Sequence, residues 1–269
     1  MNHQLYIVEG LPCSGKSGTS KYIADILKSD GFHTQYYDEG DINHPADYEF
    51  HSYLTTEELN KLDKEEINTI KEISVRKLDG YIVPLHEVKG DLFDKVIQYK
   101  IYDHLPWDIE KKVMLDRWSE FVASIINKDE KYVLNCCFLQ NFLYETMMRF
   151  NFPYEVIKEY IQEINNRIKS LNPVIIYLKT SDIKERIEEV SKEREIEWLH
   201  SVIDYHTSWG YGKENDLVGF DGYIACLSKR QEVELRILNE LPLQKIIIDN
   251  PYDNWDDVHA LLKQYIIEL

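Results

Sequence analysis

Residues 6–27 read YIVEGLPCSGKSGTSKYIADIL, and this stretch constrains the fold more than any other part of the chain. It opens with an apolar run that is typical of a buried strand and continues with apolar residues on one helical face. Between the two, residues 10–17 match the Walker A pattern G-x-x-x-x-G-K-[ST]. A strand, a glycine-rich loop and a helix in this order are the arrangement in which a backbone can wrap a phosphate group.

Each part of this pattern has a physical task. Glycine permits a tight turn that points backbone N–H groups at phosphate oxygens, and the helix that follows adds the positive end of its dipole. Lys16 would reach the outer phosphates, and the Ser17 hydroxyl would ligate Mg²⁺. We therefore predict ATP and Mg²⁺ as cofactors, and a glycine-rich turn without a ligand is the alternative. The residues expected to bind them are Gly10, Pro12, Cys13, Ser14, Gly15, Lys16, Ser17 and Gly18.

Five apolar runs predict buried strands, and helical patterns separate them. The strands are expected at residues 5–9, 34–38, 131–138, 174–178 and 245–249. Buried strands that alternate with helices indicate a parallel sheet that is covered on both faces. Possible capping boxes at Thr55 and at Ser228, and a possible N-cap at Asn254, mark helix starts. Ligands of such sheets bind at the C-terminal ends of the strands, so the residues after each strand are candidates for the site.

The charge balance excludes some classes of partner. The chain has 31 Lys and Arg against 48 Asp and Glu, a formal net charge of −17, and a surface this negative repels a nucleic-acid backbone. No apolar run approaches the roughly 20 residues that span a membrane, and the start does not resemble a signal peptide. The four cysteines lack metal or disulfide spacing. We expect a cytoplasmic protein that binds neither nucleic acid nor membrane, and the sequence leaves its oligomeric state, including a homo-oligomer, open.

The loop, the order of the five strands and the long insertion after the second strand resemble the P-loop nucleoside and nucleotide kinases. That group includes thymidylate kinases, deoxynucleoside kinases and chloramphenicol phosphotransferase. The resemblance implies one P-loop domain over residues 1–269, a three-layer α/β/α sandwich with a five-stranded parallel sheet. It also implies a helical acceptor-side insertion at 42–127 and a lid-like segment at 181–240. The activity it implies is ATP-dependent transfer of the γ-phosphate to a small acceptor, first a nucleoside or nucleotide and second an antibiotic or other metabolite.

Kinases of this group place a carboxylate after the second strand, where it takes the proton of the acceptor as the acceptor attacks the γ-phosphorus. Asp38, Glu39 and Asp41 flank Gly40 at that point. The resemblance implies that one of them is the general base, and we favour Glu39 and then Asp41; the alternative is that all three are solvated loop charges and none is the base. Further candidates, for the acceptor pocket, are His44, Asp47 and Tyr48.

The lid of these kinases follows the fourth strand and supplies arginines that neutralise the transferring phosphoryl group. Arg186 and Arg194 fit by position and stand eight residues apart, so one helix could present both, although a solvated Glu–Arg face is the alternative. Arg230 is a weaker candidate. After the third strand, where relatives often carry an acid, this chain has Asn135, which leaves open the acid that orients Mg²⁺. Gln140 follows closely and could pair with an acceptor.

Other proteins with a Walker A loop fit the sequence less well. A GTPase would carry N-K-x-D near the fifth strand and D-x-x-G after the third, and the nearest matches, at 127–130 and 216–219, stand elsewhere. A motor-type ATPase would carry an acid after an apolar strand, which VLNCC lacks. A nucleotide-binding module without catalysis stays an alternative.

Overall fold

The computed structural model describes residues 3–268. Its strands are β1 Leu5–Gly10, β2 Thr34–Tyr37, β3 His51–Thr55, β4 Val75–Lys77, β5 Gly80–Pro84, β6 Lys131–Asn135, β7 Val174–Lys179 and β8 Gln244–Asp249. Its helical segments are α1 Lys16–Ser29, α2 Thr56–Leu59, α3 Lys64–Ile73, α4 Asp91–Ile97, α5 Ile101–His104, α6 Trp107–Ile125, α7 Gln140–Leu143, α8 Tyr154–Ile168, α9 Ile183–Ser191, α10 Ile196–Thr207, α11 Gly210–Glu214, α12 Gly219–Glu240 and α13 Trp255–Ile267. Within these described residues, no helix is long and apolar enough to cross a membrane.

Five of the strands form one parallel sheet in the order β2-β6-β1-β7-β8. β1 lies at its centre, with Tyr6 opposite Val133 of β6 and Val174 of β7. All six residues of β1 are buried, which requires cover on both faces of the sheet. On one face α1 and α13 pack Ile23 and Leu262 into the apolar cluster of the sheet. The prediction of an α/β fold around a five-stranded parallel sheet is confirmed.

The chain divides into two compact units. The first unit contains the parallel sheet and consists of the residues up to Glu39 and from Val122, and the second unit is Gly40–Phe121. Besides helices, the second unit carries a three-stranded antiparallel sheet in the order β3-β5-β4. Helical periodicity did not predict this sheet, because its strands have only three to five residues. The insertion is therefore not purely helical.

The local signals for helix starts had mixed outcomes. Thr55 caps α2 as predicted, since its Oγ1 accepts from the N–H of Glu58 at 3.3 Å. Asn254 caps α13 as predicted, with its Oδ1 accepting from the N–H of Asp257 at 3.3 Å. The capping box at Ser228 is wrong, because α12 runs unbroken through it and the hydroxyl donates back to a carbonyl one turn earlier.

Strand β6 ends at Asn135, three residues before its predicted end. Cys136 and Cys137 have φ angles of 51° and 81°, in the left-handed region that residues other than glycine rarely adopt. The chain therefore leaves the sheet at once. Residues 136–139, which we call the β6 turn, lead directly into α7.

Candidate functional site

The glycine-rich loop joins β1 to α1 in a conformation that two of its glycines require. Gly10 has a φ of 150°, and a Cβ there would lie 2.5 Å from the carbonyl oxygen of Leu178. Gly15 has a φ of 95°, and a Cβ there would lie 2.2 Å from the ring of Trp255. Neither position accepts a side chain without rearrangement. The shape of the loop thus depends on the two glycines that the Walker A pattern specifies.

Helix α1 begins directly after this loop, and no side chain caps its N-terminus. Gly15 is the N-cap residue, and the first turn contains no acidic residue. The first N–H groups of an α-helix have no partner within the helix, and the helix dipole places partial positive charge on them. In a helix of 14 residues, this end suits an anion that the loop backbone surrounds.

Lys16 is buried beside the loop, with 7% of its surface exposed. Its Nζ donates to the carbonyl oxygen of Leu11 at 3.1 Å. Burial of an ammonium group is costly without partners, and one carbonyl uses only one of its three donors. Nearby in the sequence, the buried hydroxyls of Ser14 and Thr19 have no hydrogen-bond partner among the described residues. The loop therefore holds a cation and polar groups that a phosphate could bind.

A second cluster joins the ends of β2 and β6, which are neighbours in the sheet. The Nδ2 of Asn135 donates to the Ser17 Oγ at 3.0 Å and to the Asp38 Oδ1 at 2.5 Å. The Asp38 carboxylate and the Ser17 hydroxyl therefore both lie within one hydrogen-bond length of the same nitrogen. Asp38 follows β2, and its contact with Asn135 brings a carboxylate to the end of β6, where the sequence itself has no acid.

The donors of this cluster are a hydroxyl, a carboxylate and an amide oxygen, which are ligand types that Mg²⁺ prefers. The Oδ1 of Asn135 is buried and has no partner in the described part of the chain. Over residues 3–268, no group of three or more His, Cys, Asp or Glu is placed to hold a metal ion. The donors fit a Mg²⁺ ion that takes most of its ligands from phosphates and water, as Mg²⁺ commonly does.

Glu39 and Gln140 also meet at this edge of the sheet. The Nε2 of Gln140 donates to the Glu39 Oε1 at 2.5 Å and lies 3.7 Å from the Cys136 sulfur. Glu39 is exposed, so its carboxylate is accessible to a ligand. Asp41 belongs to the second unit, where its Oδ1 accepts from the N–H of Asn43 at 2.8 Å. Of the two acids favoured as the base, the structure brings Glu39 to the Gln140 side chain.

Arg186 reaches the glycine-rich loop from α9. Its Nε donates to the carbonyl oxygen of Cys13 at 2.9 Å, and its guanidinium lies 4.5 Å from the ring centroid of Tyr252. Its Nη1 also pairs with Glu189 at 2.6 Å. Of the two arginines predicted for a lid, Arg186 therefore contacts the loop directly.

Arg194 does not share a helix with Arg186, because α9 ends at Ser191 and α10 begins at Ile196. The expectation that one helix presents both arginines is therefore wrong. The guanidinium of Arg194 lies 4.4 Å from the ring centroid of Trp198. Burial raises the pKa of the Cys13 thiol, while the positive charge of Arg194 acts in the opposite direction, as do those of Lys16 and Arg186.

Arg230 is a core residue, with 2% of its surface exposed. Its Nε lies 3.1 Å from the Oε1 of the buried Glu234. The hydroxyl of Tyr177 donates to the other oxygen of that carboxylate at 2.5 Å. The Arg230, Glu234 and Tyr177 side chains thus join α12 to β7. Arg230 is buried in this contact, whereas an arginine of a mobile lid would be accessible to the ligand.

The clefts near the predicted positions in the described residues include one in each unit that contains a predicted side chain, Arg186 or Tyr48. In the first unit, a cleft of about 490 Å³ is lined by Arg186, Tyr252 and Asn250 together with several acids of α9. In the second unit, a cleft of about 520 Å³ is lined in part by Tyr48, His51 and Arg117, with the Arg117 guanidinium 4.4 Å from the Tyr48 ring centroid. Burial lowers the pKa of His51 to about 4, so this imidazole is neutral at physiological pH.

Of the other residues predicted for an acceptor pocket, His44 and Asp47 are buried in the second unit. The His44 carbonyl accepts from the Nη2 of Arg117 at 2.6 Å. The Asp47 carboxylate accepts from the hydroxyl of Tyr102 at 2.6 Å. Their hydrogen bonds support the fold around the cleft of the second unit.

Glu9, which is not among the residues predicted from the sequence, is fully buried in β1 immediately before the loop. Its carboxylate accepts hydrogen bonds from the backbone N–H groups of Phe138, Leu139 and Gln140, at the end of the β6 turn. The signal was present, because a charged residue in a strand that is buried on both faces needs partners.

The sequence matches no model of a known protein family, and no curated protein matches it significantly.

Proposed function

We propose that this chain is an ATP-dependent phosphotransferase, a P-loop kinase with Mg²⁺ as cofactor, which transfers the γ-phosphate to a small acceptor. The observation that carries the proposal is the loop from Gly10 to Gly15, which leads into the uncapped end of α1 beside the buried Lys16. The N–H groups of the first turn of α1, the helix dipole and the ammonium group of Lys16 adjoin this loop, and this combination suits polyphosphate.

Each neighbouring side chain has a role under this proposal. Lys16 and the loop N–H groups bind the outer phosphates. Arg186, at the edge of the loop, stabilises the negative charge of the transferring phosphoryl group in the transition state. Ser17, Asn135 and Asp38 hold Mg²⁺, directly or through its waters, and the bound ion neutralises phosphate charge. Glu39 takes the proton of the acceptor hydroxyl, and Gln140 orients that carboxylate.

The cleft beside Arg186 and the cleft of the second unit are candidates for the base of ATP and for the acceptor. The first has acids that can accept hydrogen bonds from amino groups and repel phosphate, which suits an uncharged ring. The second combines apolar walls with Arg117 and Tyr48, which suits a planar molecule. A nucleoside or nucleotide is our first proposal for the acceptor, and an antibiotic or other small metabolite is the second.

Nucleotide binding is the first test. A non-hydrolysable ATP analogue with Mg²⁺, at about 100 times its dissociation constant, should stabilise the protein by about 2.7 kcal/mol in a thermal-shift titration. Lys16→Ala should abolish most of this shift. Lys21→Ala, which removes an exposed lysine of the same helix, is the matched control and should retain it. A Lys16→Ala protein that binds the analogue as the parent does would contradict the proposal.

Acceptor phosphorylation is the second test. Radiolabelled ATP and a panel of nucleosides, nucleotides and phenicol- or aminoglycoside-type compounds should reveal transfer to one class. Slow ATP hydrolysis without transfer to any acceptor would identify an ATPase. Binding without any turnover would identify a nucleotide-binding module.

A further inference from the structure

Glu9 is a buried carboxylate that lies outside the Walker A pattern but directly before it. None of its surface is exposed. Its Oε1 accepts from the N–H groups of Phe138 at 2.7 Å and Leu139 at 2.9 Å, and its Oε2 accepts from the N–H of Gln140 at 3.2 Å. Hydrogen bonds to a charged acceptor are about twice as strong as those between neutral groups. One carboxylate therefore fixes three consecutive residues that lie far away in the sequence.

The segment that Glu9 holds has little local support of its own. Cys136 and Cys137 both adopt left-handed φ angles, a conformation that costs free energy for residues with a Cβ. Leu139 is the N-cap residue of α7 and has no side chain that could accept a hydrogen bond. The Glu9 carboxylate supplies, from a neighbouring strand, the acceptor that a capping side chain would normally provide.

The two ends of the β6 turn carry the polar contacts of the candidate site. Before the turn, Asn135 bridges Ser17 and Asp38. After it, the side chain of Gln140 donates to Glu39. A change in the turn would therefore displace the groups on both sides of the site.

We propose that Glu9 is a positioning residue: its carboxylate fixes the β6 turn and so places Gln140 against Glu39. Only the catalytic consequence of this placement rests on the proposed kinase function. The structural link from Glu9 through the Gln140 backbone to Glu39 stands on the hydrogen bonds alone.

The electrostatic surroundings of Glu9 are mixed. Burial raises its pKa to about 7, and the negative charge of Glu234 on α12 acts in the same direction. The Leu139 and Phe138 N–H groups and the positive charge of Lys16 on α1 act in the opposite direction. The Leu139 and Phe138 N–H groups, together with the charge of Lys16, thus favour an ionised carboxylate at this position.

Amide hydrogen exchange of the full chain, resolved by NMR, tests the structural link. Glu9→Gln keeps the size of the side chain and one acceptor oxygen, but it removes the negative charge and places an amide NH₂ group where the second oxygen accepts from the N–H of Gln140. Above the pKa of Glu9, where its carboxylate is ionised, exchange at the amides of residues 138–140 should accelerate on the order of 10- to 100-fold, because local opening becomes easier when charged hydrogen bonds are lost. The Gln140 side-chain NH₂ resonances should also collapse towards the values of a free amide.

Glu110→Gln is the matched control, since Glu110 is a fully buried glutamate of the second unit. It should leave exchange at 138–140 unchanged. Unaltered protection of these amides in Glu9→Gln would overturn the proposal. If Glu9→Gln does not fold, the parent protein still decides the question: a scalar coupling through the hydrogen bond should join the Leu139 nitrogen to the Glu9 carboxyl carbon, and its absence would overturn the proposal.

A double-mutant cycle tests the catalytic consequence. Gln140→Ala and Glu9→Gln should each lower kcat for phosphoryl transfer with little change in KM for ATP, and the double variant should be little worse than either alone. Additive losses would show that Glu9 acts by another route. A parent protein without any turnover would contradict the proposed function, whereas altered exchange in that same protein would still support the role of Glu9 in fixing the turn.

Discussion

Gly15→Ala should destabilise the first unit by about 2 to 5 kcal/mol, even though alanine is the better helix former. Two effects add. The φ of 95° lies in the left-handed region, which costs an L-residue about 1 to 2 kcal/mol. The new Cβ would lie 2.2 Å from the Cη2 of Trp255, so the indole or the loop must move, and such overpacking typically costs about 1 to 3 kcal/mol.

Gly18→Ala is the matched control two positions into α1. A Cβ at Gly18 meets no atom within 4 Å, and its φ is not in the left-handed region. The same chemical change should therefore stabilise the helix by about 0.5 to 1 kcal/mol. Urea unfolding, followed through amide signals of β1 so that the first unit is observed separately, measures both variants.

The background Trp255→Ala separates the two effects. With the indole removed, Gly15→Ala should cost only the backbone term of about 1 to 2 kcal/mol. Equal urea midpoints for Gly15→Ala and Gly18→Ala would refute the loop conformation described above. A cost at Gly15 that is the same with and without Trp255 would refute the steric argument but not the backbone one.

Three further outcomes are expected. Arg186→Ala should lower kcat for phosphoryl transfer by roughly 10²-fold in steady-state assays, because a preorganised charge at the loop is lost, and an unchanged kcat would contradict its role. Asp38→Asn should raise the Mg²⁺ concentration for half-maximal turnover by about 10-fold or more. Glu39→Gln should instead lower the rate of phosphoryl transfer by roughly 10²- to 10⁴-fold at an unchanged Mg²⁺ requirement. The opposite pattern would exchange the two roles. Glu9 has a pKa raised from 4.5 to about 7, so the native state holds a proton that the unfolded chain releases, and stability falls as pH rises through that window. In urea titrations, the free energy of unfolding of the parent relative to Glu9→Gln should therefore fall by about 3 kcal/mol between pH 4.5 and 7.5. The same pH dependence of the free energy of unfolding in both proteins would contradict this.

The parallel sheet could be predicted because its signals are local. Each strand is a short apolar run between helical patterns, and all five appear where the pattern predicts them. The boundaries fail where geometry is unusual, as at β6, where Cys136 and Cys137 turn the chain out of the sheet. The antiparallel sheet of the second unit was missed because three to five residues are too few for a clear period.

The candidate site could be predicted only in part, and the reason is sequence distance. The Walker A residues are consecutive, so their pattern identifies them. The contact of Asn135 with Asp38 spans 97 residues and depends on β2 lying beside β6, which apolar periodicity does not reveal. The partners of Glu9 lie 129 to 131 residues away and are backbone groups, which carry no residue-type signal.

The division of the first unit by a long insertion has a consequence for the order of folding. The second unit is continuous, and its sheet pairs residues within 51–84, so only short loops must close. Among the described residues, β1 pairs with β6 and β7 and with no other strand, so a nascent chain exposes both edges of β1 until the ribosome has passed the entire insertion. Gly10 packs against β7 and Gly15 against Trp255 of α13. This glycine-rich loop, although translated early, therefore acquires its shape only after α13 has been made.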